Sequence, residues 1–136
     1  MTRPIASPIV AAGICCLASS VAYAQVPDTP TFSKHIAPIF QEKCEACHRP
    51  DSIAPMSLRT FQESRPWARA IKSRVEARQM PPWHIDKTVG IHEFKNDRSL
   101  TDDQIATIAK WVDAGAPEGD PKDMPKAKEW PDGQMW

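Results

Sequence analysis

Two cysteines three positions apart, with a histidine next in the chain, set most of the chemistry open to this sequence. Cys44-Glu45-Ala46-Cys47-His48 has the spacing C-x-x-C-H, the pattern through which haem is attached covalently. Each thiol adds across one vinyl group of the macrocycle as a thioether. The two-residue gap at a helix end spaces the sulfurs to suit the two vinyls, and His48 is then held beneath the iron as proximal ligand. Other uses of such a pair fit less well. A thioredoxin-like dithiol sits on a βαβ pattern, which is absent here. A zinc site wants a second C-x-x-C or a close histidine pair, whereas His84 and His92 are eight apart. The expected cofactor is therefore one covalent haem c.

The sixth iron ligand decides what such a group does. A Met thioether closes the iron and raises its potential, which suits electron transfer; an open position admits oxygen or peroxide. The candidates are Met56, Met80, His84, His35 and His92. Met80 is favoured. It lies 32 residues after His48, follows a helix, and stands in a loop stiffened by Pro81 and Pro82 beside Trp83. A stiff loop presents its sulfur at little entropic cost. Met80 as a plain helix-end core residue is the bland alternative, and His84 is the second choice of ligand. Met56, between Pro55 and Ser57, is too close to the attachment motif to reach the far face of the iron. Trp67, Trp83 and Trp111 are weaker expectations as packing against the macrocycle, since most aromatics in a helical core only pack.

These residues need a frame. A first helix is expected over about 35–46, with Ser33 as cap, Pro38 tolerated in the first turn, and Ile36, Ile39 and Phe40 as its apolar stripe. Residues 49–59, with Pro50 and Pro55, read as a loop. Thr60 and Glu63 make a capping box for a second helix running to about Gln79, bent or broken near Pro66. Trp67, Ile71 and Val75 are its expected buried face. Met80-Pro81-Pro82-Trp83 stops it, and residues 85–97 read as a loop. Thr101 and Gln104 make a second capping box, with Leu100 and Ile105 as hydrophobic staple. Ile105, Ile108, Ala109 and Val112 form the stripe of this last helix; Gly115 suits the position past its end and Pro117 stops the chain. No segment alternates as a strand does. The expected fold is all-α, about three main helices with long loops around one haem.

The 136 residues make one domain, and a formal net charge of zero gives no ground for a nucleic-acid partner. Residues 1–24 read as a cleaved secretory signal: Arg3, an apolar run from about Ile9 to Val21, then Ala22-Tyr23-Ala24. The run is short for a membrane span, so no stable membrane insertion is expected after cleavage. Cys15 and Cys16 leave with it, and Ala12-Gly13-Ile14 is a poor lipoprotein box. Cys44 and Cys47 remain, too few for a disulfide scaffold. The mature chain is expected in the periplasm, as a flexible lead-in (25–31), a helical domain (32–117) and an extended Pro- and charge-rich tail (118–136). Its charge is uneven. Arg59, Arg65, Arg69, Lys72, Arg74 and Arg78 crowd the second helix and its approach against Glu63 and Glu76, while residues 97–123 are mainly acidic. A solvated helix face gives the same pattern. So does a dipole that orients the chain toward an acidic partner.

One further reading rests on likeness. Residues 31–40, the C-x-x-C-H run, Arg49-Pro50, Ile53-Ala54-Pro55-Met56-Ser57-Leu58, Arg65-Pro66-Trp67-Ala68, Met80-Pro81-Pro82-Trp83-His84, Asn96-Asp97-Arg98 and residues 111–117 resemble bacterial class I-like cytochrome c domains. The likeness covers nearly all of residues 31–121. It implies haem thioethers at Cys44 and Cys47, a proximal ligand at His48 and a Met ligand at Met80. It further implies an exported electron carrier, not an enzyme, between periplasmic redox proteins such as a dehydrogenase, an oxidase or another cytochrome. Similar domains open longer chains resembling copper, ascorbate-dependent monooxygenases, so the cytochrome part of a larger redox system is a second expectation. The copper ligands of those enzymes have no counterpart here, and no oxygenase activity carries over. A haem enzyme or gas sensor with a labile sixth ligand is the third.

Overall fold

The computed structural model describes residues 26–83, 85–86, 88–90 and 93–130. The signal segment, His84 and His92 lie outside the described residues. Those described form helices, turns and loops with no strand, so the chain is all-α over this range.

A π turn, Phe32–Ile36, leads into α1, Ala37–Lys43. Pro38 sits in the first turn of α1, where its missing N–H has no partner to lose. Counted with the π turn, the helical stretch starts at Phe32, ahead of the expected 35, and α1 itself ends at Lys43, short of the expected 46. Ser33 does not cap it: Ser33 is buried inside the π turn and its Oγ donates to the Glu118 carbonyl at 3.0 Å. The start is fixed by His35, whose Nδ1 accepts the Thr31 N–H at 3.0 Å. Pro30, in the expected flexible lead-in, is fully buried.

The second helix breaks at Pro66. Thr60 and Glu63 make their reciprocal capping box over one turn, α2, Phe61–Ser64. A 3-10 turn, Arg65–Trp67, follows, then α3, Ala68–Glu76. The tighter turn shifts the register, so the buried positions are Ser64, Ala68, Ile71 and Val75. Trp67, expected on the buried face, is 46 % exposed. At the end of α3 the Arg78 N–H reaches the Val75 carbonyl (3.0 Å) and the Gln79 N–H the Arg74 carbonyl (2.9 Å), a Schellman pair with Arg78 at φ +52°. Met80 donates its own N–H to the same Arg74 carbonyl at 3.3 Å, so the helix end hands Met80 directly to the loop.

Helix α4, Asp102–Asp113, starts on the Thr101–Gln104 capping box. It closes with Gly115 N–H to Val112 O (3.0 Å) and Ala116 N–H to Trp111 O (2.9 Å), Gly115 supplying φ +88°. Trp111, fully buried, lies 6.0 Å from the Phe32 ring and 6.5 Å, edge-on, from Phe40; Phe61 abuts Phe32 at 5.6 Å. The Trp111 Nε1–H donates to the Pro117 carbonyl at 3.0 Å. Trp111 is thus the centre of the α1–α4 core, with its one polar atom satisfied within that core.

Apart from a 3-10 turn, Pro121–Asp123, the described tail is extended in backbone, and it is laid against the body. The Phe32 and Ser33 N–H groups bond the Pro117 and Glu118 carbonyls at 2.9 Å each. Further on, Gln41 Nε2 donates to the Lys126 carbonyl at 2.8 Å and Arg59 Nη2 to the Lys128 carbonyl at 3.2 Å.

Candidate functional site

The attachment motif forms the turn that ends α1. The Cys44 and Glu45 N–H groups both bond the Phe40 carbonyl at 2.8 Å, and the Cys47 and His48 N–H groups bond the Cys44 carbonyl at 3.0 and 2.9 Å. Both thiols are free and half-buried. Burial pushes the Cys44 thiol up to about 12, helped by the negative charge of Glu45 and by Cys47. Disulfide exchange needs a thiolate, so Cys44 is a poor attacking thiol.

His48 is half-buried, with Nδ1 3.2 Å from the Met56 carbonyl oxygen. A carbonyl only accepts, so Nδ1 carries the proton and the Nε2 lone pair is left free. Burial lowers the His48 pKa against the opposing effect of that hydrogen bond, which favours the neutral ring. A neutral imidazole with one N–H fixed by a backbone carbonyl is the form in which histidine binds metals. The loop supplying that carbonyl is tied back by Ala54 N–H to Cys47 O (3.2 Å) and Leu58 N–H to His48 O (3.0 Å).

Met80 lines a cavity of about 620 Å³ between the end of α3, the 80–88 loop and the start of α4. Val75, Trp83, Leu100 and Ile105 give it apolar walls. Its volume lies within the range of small-molecule and cofactor sites. Trp83 meets Phe94 edge-on at 6.4 Å, and its Nε1 is buried with no hydrogen-bond partner among the described residues. Such an atom is rare in a native fold. A large apolar group bearing acceptor oxygens would satisfy it, and haem with its carboxylates is such a group. The Met80 thioether on the cavity wall and the neutral His48 imidazole are donors of the kind that haem iron takes.

The other ligand candidates are otherwise engaged. The Met56 side chain packs on the core while its carbonyl holds His48, and His35 is committed to Thr31. Of the candidates among the described residues, Met80 alone lines the cavity. Cys44, Cys47 and His48 do not themselves form the cavity wall. The connection runs through one segment: Arg98 Nη1 lies 3.9 Å from Cys47 Sγ, and the next three residues, Ser99, Leu100 and Thr101, line the cavity. Of the three tryptophans considered for this site, Trp83 is in it, Trp111 is core and Trp67 is at the surface. Among the described residues no group of three or more His, Cys, Asp or Glu could hold a metal ion, and no helix is long and apolar enough to cross a membrane.

Glu45, one of the two residues between the cysteines, is an unforeseen part of the site. It is 5 % exposed, accepts a hydrogen bond from Trp130 Nε1 at 3.3 Å and lies 3.9 Å from Arg59 Nε. Burial raises its pKa, with Trp130 and Arg59 pulling the other way. Arg49 and Lys128 lie over the Trp130 ring at 5.4 and 4.2 Å. The tail therefore ends its described course against the attachment turn. No spacing in the sequence signals this; the Trp130 indole beside basic residues is the sole hint. No family model matches the chain, and no curated protein or solved structure matches it.

Proposed function

We propose that this chain is an exported c-type cytochrome of class I-like fold, carrying single electrons between periplasmic redox proteins through one covalent haem c. The observation that carries the reading is His48: it follows a C-x-x-C pair, and its proton is fixed on Nδ1 by the Met56 carbonyl. Cys44 and Cys47 would hold the haem as thioethers, and His48 and Met80 would be its iron ligands. The haem supplies a one-electron iron couple; the chain does the rest. The Met56 carbonyl would hold the His48 ring in place, the end of α3 would deliver Met80, the Trp83 N–H could meet a haem carboxylate, and Val75, Leu100 and Ile105 would give the group apolar walls. Low dielectric and a thioether ligand both raise the potential, as suits a carrier.

Met80 is 41 % exposed, which favours a second reading: a labile sixth position open to small gases or peroxide. Visible spectra with and without carbon monoxide separate the two. A carrier keeps its reduced spectrum under carbon monoxide and shows the sulfur–iron band in the far red when oxidised. Rapid carbon monoxide binding by the wild-type chain without that band would reject the carrier reading.

A further inference from the structure

Trp67 is the one aromatic residue among those described that stands half out of the molecule. Arg65 and Arg69 flank it, both exposed, and neither has an ion-pair or hydrogen-bond partner among the described residues. The neighbouring cations are used. Lys72 Nζ lies 2.6 Å from Asp113 and 3.8 Å from Glu76, Arg78 is bound to Asp102, and Arg59 is beside Glu45. Glu63, the nearby carboxylate, is held in its capping box. An exposed indole between two like charges one turn apart gains nothing for the free chain, and the repulsion costs a little. Trp and Arg are also the side chains that most often anchor protein interfaces. A guanidinium pairs a carboxylate bidentately, so the surface complementary to this one is acidic around an apolar spot.

We propose that Arg65, Trp67 and Arg69 form the docking surface for an acidic redox protein, Trp67 as the anchor and the two arginines as the steering charges. This rests on the electron-carrier reading. Arg65 and Trp67 stand in the 3-10 turn and Arg69 in the first turn of α3, and the cavity residue Val75 lies about 9 Å beyond Arg69 along the same helix. A transient redox contact covers roughly 600 Å² on each side, wide enough to span both.

The test uses the full processed chain and, as probe, a small blue-copper protein with an acidic surface patch. Second-order electron transfer between them should slow as salt rises and the Debye length falls from about 10 Å at 0.1 M to about 3 Å at 1 M. The double variant Arg65→Glu, Arg69→Glu should cut the low-salt rate about tenfold, and the deficit should vanish at high salt. Trp67→Ala should slow transfer at every ionic strength, and Lys72→Glu, at a cation already paired, should matter far less than the double variant. Binding of the metal-free probe, followed by amide chemical shifts, should centre on residues 64–70. Rates indifferent to salt and to the double variant, shifts centred elsewhere, or concentration-dependent self-association through the same residues would each overturn the proposal. Binding at 64–70 by a probe whose copper form exchanges no electrons would keep the surface and reject the carrier reading.

Discussion

Spacing alone points to Cys44, Cys47 and His48 as attachment residues, because the chemistry proposed for them depends on their separation along the chain. What spacing does not contain is the partner that fixes the His48 proton. That partner is a backbone carbonyl eight residues on, brought back by the 49–58 loop. Met80 stands beside the prolines that stiffen its loop and lies on the cavity wall, while the Met56 carbonyl holds the His48 ring. Met80→Ala should therefore abolish the far-red band, lower the potential and admit carbon monoxide. If Met56→Ala or His84→Ala did so instead, the ligand assignment would be wrong. Glu45 gives a test of a different kind. Its folded pKa is raised by burial, so the folded chain holds the proton more tightly than the unfolded one. That contribution is fully present below the unfolded value of about 4.3 and is lost as pH climbs through the folded value. Glu45→Gln keeps an oxygen for Trp130 and removes the cost of ionisation. It should raise the melting temperature by a few degrees at neutral pH, an advantage that shrinks toward about pH 4. A gain independent of pH would contradict burial as the cause.

At the scale of elements, both capping boxes were legible because each is a local pattern, settled within four residues. Thr101→Ala should cost about 1 kcal/mol in denaturant unfolding. The break at Pro66 was legible too, but its consequence was not. The 3-10 turn moves the apolar face by one position, burying Ala68 and releasing Trp67, and periodicity cannot anticipate a change of helical pitch. The tail was least legible, since its bonds to Phe32, Ser33, Gln41 and Arg59 join residues far apart in sequence. Gly119 shows how closely it lies. At φ +86°, a Cβ there would come within 2.6 Å of Thr31 Cβ. Gly119→Ala combines a left-handed backbone with an overpacked contact and should destabilise by about 2 kcal/mol. An unchanged midpoint would mean that the tail does not pack on residue 31.

For the whole molecule, the absence of strand alternation was enough to predict an all-α chain, but charge counting was not enough to describe its surface. The basic second helix and the acidic last helix pack on each other and share their charges. Lys72 meets Asp113, and Arg78 meets Asp102. Exposed pairs of this kind contribute at most about 1 kcal/mol each, yet they mute a dipole that composition alone would assign. Among the described residues of the second helix and its approach, Arg65 and Arg69 have neither an ion pair nor a hydrogen-bond partner. All of this bears on function only if the chain carries haem through Cys44 and Cys47. The direct measurement is the mass and visible spectrum of the chain after export alongside a haem-attachment system, then acid–acetone extraction and full denaturation. The chain should retain one haem's mass and a haem c spectrum, lost in Cys44→Ala and in Cys47→Ala. A wild-type chain stripped of haem by that treatment would contradict the attachment and everything proposed from it.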